Sequence, residues 1–371
     1  MSKIGWLMML LPHLIIMYLL FYNMQSLTGN RQYFGVSIKE DYINKEEFKL
    51  LNKEYKKLLN IGFLAILLIS LILIFIMDKG SFAFTFFILS SIAYSSLIYI
   101  KIHNETKALK HRLLETNENC DINLSSKSII DVSFINKRDK IVKKFKYIYL
   151  IPIFITCVVS IYAFSQYSKI PDMVPTHWNF MGVADSFIEK SYFNIISLIF
   201  SQLILSLLLS FISISSIKSR VRIDPENIEQ SKLENIKYLN RVGYTFLVII
   251  LSINLLLTNS LMASIYGPNL NIVVTGLFFL VIISCTIYLT YIYIKSPNSK
   301  STSSYSPDDD EKYWIWGSIY NNPNDPSFMV QKRFGIGWTI NIATPLGKIF
   351  LICTLLLFVF LIFDFIKSFF Y

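Results

Sequence analysis

Residues 58–100 read LLNIGFLAILLISLILIFIM–DKG–SFAFTFFILSSIAYSSLIYI: two apolar runs joined by Asp78, Lys79 and Gly80. A hydrocarbon core about 30 Å thick takes roughly 20 apolar residues of helix. Each run is therefore long enough to cross a bilayer, and the polar triplet between them predicts a helical hairpin. Outward from this stretch the pattern repeats. Spans are expected at Ile4–Tyr22, Leu58–Met77, Phe82–Ile100, Ile148–Tyr167, Tyr192–Ile214, Val242–Ile265, Ile272–Ile294 and Ile349–Ile366. Eight such helices in a soluble chain of 371 residues would leave too little polar surface to cover them. With 53% hydrophobic and 16% charged residues, the composition agrees. The expected fold class is all-α: a polytopic integral membrane bundle of about eight transmembrane helices.

The net charge of +10 first suggests nucleic acid, but its distribution assigns it to topology. Segments 23–57, 101–147, 215–241 and 295–348 carry 30 Lys/Arg, whereas the alternate loops carry 3: Lys79, Lys169 and Lys190. Cytoplasmic loops collect such residues. The alternation predicts a multi-pass membrane protein with both termini extracytoplasmic, the lipid bilayer as its main partner and no nucleic acid. No small-x-small cleavage site follows Tyr22, so the first span is expected to be retained. Cys157, Cys285 and Cys353 lie in spans and Cys120 in an inner loop, so no disulfide framework is expected.

The expected organisation is an N-terminal membrane region (1–147) and a hairpin of helices (148–214) carrying an external loop (168–191). A second helical hairpin (215–294), a Ser-rich linker with an aromatic inner domain (295–348) and a last helix (349–371) follow. The loop SKIPDMVPTHWNFMGVADSFIEKS is dense in turn residues. Pro171 and Pro175 fix φ, Gly182 permits a positive φ, and Asn179 and Asp185 can close turns with their side chains. Trp178, Phe180 and Phe187 suit the headgroup level. His177 has Asp172, Asp185 and Glu189 within twelve residues. One histidine with scattered carboxylates fits no metal spacing, and a histidine holding the turn shut is the alternative to a metal or acid–base site. No metal or cofactor is expected, and no enzyme.

The positions Pro171, Asp172, Val174, Pro175, His177, Asn179, Gly182 and Asp185 form the pattern P-D-x-V-P-x-H-x-N-x-x-G-x-x-D. It resembles the short extracytoplasmic domain of the SdpI-type membrane proteins, a bacterial family of bacteriocin-immunity and related proteins. The resemblance covers the loop and its flanking helices. It implies an external ligand, an antimicrobial or toxin peptide, met by Asp172, Pro175, His177, Asn179, Gly182 and Asp185. The family's second module carries a Gly-Tyr/Phe-Arg-Thr signature; the nearest string here, Gly243-Tyr244-Thr245, has no arginine.

Two inner segments are patterned. In 31–59, Phe48, Leu51, Tyr55, Leu58 and Leu59 recur at helical spacing, as an extension of the second span or as a partner-docking helix. Phe34-Gly35-Val36, with Ile38 and Glu40, resembles a motif in longer relatives of that family. The stretch 295–310 reads as a flexible linker. After it, 308–345 concentrates Tyr313, Trp314, Trp316, Tyr320, Phe328, Phe334 and Trp338, too many aromatics for a solvated loop. Asp308–Asp310 are expected to cap a short helix bearing Trp314 and Trp316, Asn321–Pro326 to turn, and Phe328–Val330 and Gly337–Ile342 to form strands. The segment is similar to a small module, W-G-x-x-Y-x-N-P-x-D-P … K-R-x-G-x-G-W-x-x-N, that accompanies the external motif in bacterial proteins. As a patterned inner segment it is expected to meet a cytoplasmic regulator or membrane partner through Trp316, Tyr320, Asp325, Lys332, Arg333 and Trp338. Gly335-x-Gly337 lacks the strand–helix context of a phosphate loop.

Within the membrane, His13, Asn254, Thr258 and Asn259 are the notable polar residues, and interhelical hydrogen bonding is expected of the asparagines. The leading functional expectation is an immunity- or sensor-type protein that binds an external peptide and relays to an inner partner. A transporter subunit or permease-like component is the alternative. A membrane enzyme using His177 and Asp172 is a third reading.

Overall fold

A computed structural model describes residues 2–28, 32–38, 40–116, 125–126, 132–179, 182–219, 221, 223, 227–296, 305–306, 311–333, 335 and 337–370. Asp308–Asp310, Cys120, Phe180, Phe334 and most of the Ser-rich linker lie outside these. The chain is a polytopic helical bundle, and among the described residues its sheets are small and two-stranded. Among the described residues seven helices are long and apolar enough to cross a membrane, and the helix from Pro345 adds a further apolar one. Two compact units divide the chain. The first comprises 1–129, 220–228 and 297–371, and the second 130–219 and 229–296.

The first unit holds α1 (Lys3–Tyr22), β1 (Gln32–Tyr33), β2 (Val36–Ser37), α2 (Glu40–Ile43), α3 (Glu46–Phe75) and α4 (Gly80–Thr116). Glu46 and Glu47 open α3, where carboxylates favour the positive end of the helix dipole. From there α3 runs unbroken, so the patterned residues 46–59 extend the second span. Phe48, Tyr55 and Leu59 on this extension are buried. The expected α3–α4 hairpin forms, and Asp78 makes its turn with φ +58. Gly62 lets the helices close: a Cβ there would stand 1.7 Å from Tyr94 Cε1, and the Tyr94 hydroxyl donates to the Leu58 carbonyl at 3.0 Å. His13 stays local, with Nδ1 2.8 Å from the Met9 carbonyl and its ring edge-on to Phe84. β3 (Ser125–Ser126) pairs in parallel with β6 (Tyr305–Ser306).

The second unit holds α5 (Val132–Ile148), α6 (Leu150–Ser165), β4 (Met173–Trp178), β5 (Ala184–Glu189), α7 (Tyr192–Lys218), α8 (Ile228–Tyr266) and α9 (Ile272–Ile294). The fourth span breaks at Tyr149, three residues before Pro152, whose ring and missing N–H disturb the helix behind it. Tyr149 uses the break: its hydroxyl donates to the Gly243 carbonyl at 2.9 Å and also meets the Ser213 hydroxyl. Asn254 bridges helices as expected. It accepts from the Ser206 hydroxyl at 2.7 Å and donates to the Pro152 carbonyl at 3.4 Å. Asn259 ties the α8–α9 turn, accepting from the Asn271 N–H and donating to the Asn271 carbonyl, both at 3.1 Å.

The rest of the first unit is the aromatic domain and the last helix. A 3-10 turn (Glu311–Tyr313) leads into β7 (Trp314–Ile315), β8 (Ile319–Tyr320), β9 (Met329–Gln331), β10 (Trp338–Ile340) and α10 (Pro345–Phe370). β9 and β10 fall where strands were expected. Trp314 and Trp316 do not sit on a helix. They belong to a hairpin whose turn requires φ above zero at Trp316 (+49) and Gly317 (+67), a conformation no right-handed helix contains.

Candidate functional site

The loop at 168–191 is a β-hairpin on helix ends rather than a string of turns. β4 and β5 run antiparallel from Met173↔Glu189 to Trp178↔Ala184, with irregular register around His177. Val174 and Ile170 are buried against Ala163, Ile195, Leu261 and Ile265, on the ends of α6, α7 and α8. At the tip, Asn179 Oδ1 accepts from the Val183 N–H at 3.1 Å, and Gly182 takes φ +75. Two bonds fix the tip to the α8–α9 turn. The Trp178 indole donates to the Pro268 carbonyl at 2.7 Å, and the Leu270 N–H donates to the Gly182 carbonyl at 2.9 Å. Trp178→Phe keeps an aromatic ring, though a smaller one, and deletes the first of these, a loss of about 1 kcal/mol. Faster amide exchange across 173–189 with helix content unchanged is the expected result, and unchanged exchange would count against an anchored tip.

Of the six positions expected to meet a ligand, Pro175 and Gly182 are buried, while Asp172, His177, Asn179 and Asp185 are exposed. His177 Nδ1 lies 2.5 Å from Asp185 Oδ1, across the strands. The carboxylate orients the ring and leaves Nε2 on the solvent side; the histidine side chain is 69% exposed. Met173, Val183 and Phe187 are exposed on the same hairpin. Among the described residues no three His, Cys, Asp or Glu side chains are placed to hold a metal ion.

In the first unit, β1–β2 is a tight hairpin with Phe34 (φ +45) and Gly35 (φ +79) as its two-residue turn, one residue shorter than the β7–β8 loop. Two-residue turns with both φ positive match the twist of a hairpin. The two turns meet tip to tip. A Cβ on Gly317 would lie 2.7 Å from Gly35 Cα, and one on Gly35 would lie 2.9 Å from Gly317 Cα. α4 supports both tips. The Tyr99 hydroxyl donates to the Trp316 carbonyl at 2.8 Å, and His103 Nδ1 sits 2.7 Å from the Phe34 carbonyl. A carbonyl only accepts, so Nδ1 carries the proton. Burial lowers the His103 pKa, which favours the neutral ring. Thr28 Oγ1 accepts from the Gly335 N–H at 2.9 Å, and Lys110 pairs with Glu311 at 3.2 Å.

The six inner positions separate by role. Arg333 is buried with its guanidinium 5.2 Å from the Trp314 ring centre. Tyr320 and Asp325 are buried and bonded to each other at 3.1 Å. Trp316 and Lys332 are exposed and Trp338 is half-buried. Asn341 and Asn322 complete the network, and neither was among the expected site residues. Their signal was the N-P-x-D-P and W-x-x-N spacing, which reads equally as surface or as lock.

Two short matches place these regions among known sequences. Residues 151–201, from α6 through the β4–β5 hairpin into α7, match a domain of unknown function (DUF1648). Residues 323–348, from the turn after Tyr320 into α10, match a family of unknown function (DUF5808). No curated protein and no solved structure matches the chain. The chain is thus a membrane protein carrying two regions similar to domains of unknown function, one built around each candidate site.

Proposed function

We propose that the protein is an SdpI-type, immunity- or sensor-type membrane protein of the bacterial cell membrane. In this reading the β4–β5 hairpin faces outward and binds an antimicrobial or toxin peptide, and the aromatic domain answers to an inner regulator or membrane partner. The role is binding rather than catalysis. The observation that carries the proposal is the hairpin: pinned at its tip, it displays the His177–Asp185 pair beside Met173 and Phe187. An extended peptide can add to a free strand edge, with apolar residues meeting Phe187 and a polar group meeting His177. The inner domain is bonded directly to α4 through Tyr99.

The test is growth of cells expressing the protein against a panel of membrane-active peptides. His177→Ala and Asp185→Ala should each abolish protection while membrane abundance and thermal midpoint stay unchanged, because both side chains are exposed. If the wild-type protein protects against no peptide, the reading fails. One observation favours the transporter alternative. Gln202, Ser206, Ser210, Ser213 and Asn254 are buried polar residues along the apolar helices α7 and α8. Solute uptake lost on Asn254→Leu, with peptide sensitivity unaltered, would decide for it.

A further inference from the structure

α5 has a dry face and a cationic one. Phe134, Ile141, Val142 and Phe145 are buried, and the helix packs against α7. Lys137, Lys140, Lys143 and Lys146 are exposed, with no anionic partner among the described residues. The acidic side chain on α5, Asp139, lies 3.8 Å from Arg138.

The outward face does not end with the lysines. At steps of three and four residues it continues from Lys140 and Lys143 through Tyr147 to Leu150, Ile151 and Phe154, all exposed. Exposed apolar residues on a spanning helix face lipid, and tyrosine marks the membrane–water boundary. The cationic face therefore stands directly above a lipid-covered one. At 1.5 Å per residue, Lys146 and Lys143 lie within about 6 Å of Tyr147 along the axis, and Lys137 lies about 15 Å away. The Debye length at physiological ionic strength is about 8 Å. The first two lysines sit inside it and Lys137 outside.

We propose that α5 is a headgroup clamp for anionic phospholipid, acting through Lys143 and Lys146, with Lys140 at its margin. The occupant follows from charge: an uncompensated cationic face continuous with the bilayer surface. The inference is independent of any peptide ligand.

Native mass spectrometry of the full-length protein in detergent, titrated with phosphatidylglycerol or phosphatidylcholine, tests it. The wild-type protein should bind phosphatidylglycerol more tightly. Each lysine near the surface is worth about fivefold, so Lys143→Gln with Lys146→Gln should weaken the tightest phosphatidylglycerol step on the order of 20-fold. Phosphatidylcholine binding should not move, and Lys137→Gln should behave as wild type. Equal binding of the two lipids, no effect of the double substitution, or an equal loss from Lys137→Gln would each overturn the proposal. Side chains this exposed leave the fold intact, and an unchanged thermal midpoint checks that.

Discussion

Gly317→Ala detaches the aromatic domain from the rest of its unit. The methyl group meets two obstacles at once. At φ +67 an L-residue costs about 1–2 kcal/mol. Its Cβ would also lie 2.7 Å from Gly35 Cα and 2.8 Å from the Gly35 carbonyl oxygen, both backbone atoms of an opposing turn. Side chains can rotate away from an intruder; two tight turns held by Tyr99 and His103 cannot. Overpacking of this kind typically adds about 1–3 kcal/mol, so a total of about 2–5 kcal/mol is expected. Limited proteolysis should then cut between 311 and 344 while the transmembrane helices stay protected. Gly337 supplies the control. Its φ is +96, yet nothing lies within 4 Å of its missing Cβ, so Gly337→Ala carries backbone strain alone. If both variants lose the same stability, the tip-to-tip contact is not what fastens the domain.

Asn341→Ala should unravel the same domain from within. The side chain is fully buried and uses all its bonding capacity. Its amide nitrogen donates to the Asn322 and Asp325 carbonyls, each at 2.9 Å, and its oxygen accepts from the N–H groups of Asn322 at 3.0 Å and Ala343 at 3.2 Å. Alanine leaves four backbone groups without these partners. Each buried orphan costs about 1–3 kcal/mol, and partial rehydration of an opened turn limits the sum to about 4 kcal/mol. Asn341→Asp keeps both acceptor bonds, but it sets a carboxylate against two carbonyl oxygens and should be no better. Tryptophan fluorescence of Trp314 and Trp338 on thermal unfolding would report the change. A midpoint within a degree of wild type for Asn341→Ala would show that the turn holds without its asparagine.

The helices were legible because a bilayer asks for one property over some 20 residues, and local composition answers it. The run from Phe48 to Leu59 was legible as helix, though not the hairpin it would cover. Strands β9 and β10 were legible through Met329-Val330 and Trp338-Thr339-Ile340, β-formers between turns. β4 was not. Pro175 in its middle removes a ladder donor and argues against a strand, and the turn residues around it drew the reading towards a loop. Least legible was the meeting of Gly35 with Gly317. Each turn is spelled locally by an aromatic–glycine pair, Phe34-Gly35 and Trp316-Gly317, but nothing local says that one glycine exists for the other. Phe34 and Trp316 also adopt the left-handed conformation that large side chains avoid. The partner of His103, the Phe34 carbonyl, leaves no trace in side-chain spacing.

The first unit is assembled from both ends of the chain, with the whole second unit written between them. This sets a schedule for biogenesis. The turn at Gly35 leaves the ribosome roughly 280 residues before Gly317 does, which at 5–20 residues per second is on the order of 15–60 s. During that interval the spans α1, α3 and α4 can already be in the bilayer, while the tip formed by Phe34 and Gly35 has no cover. A nascent chain stalled after α4 but before residue 314 presents that bare tip with the Tyr99 hydroxyl beneath it. Quality control that recognises such an uncovered backbone turn thus has a way to tell an unfinished copy of this protein from a finished one.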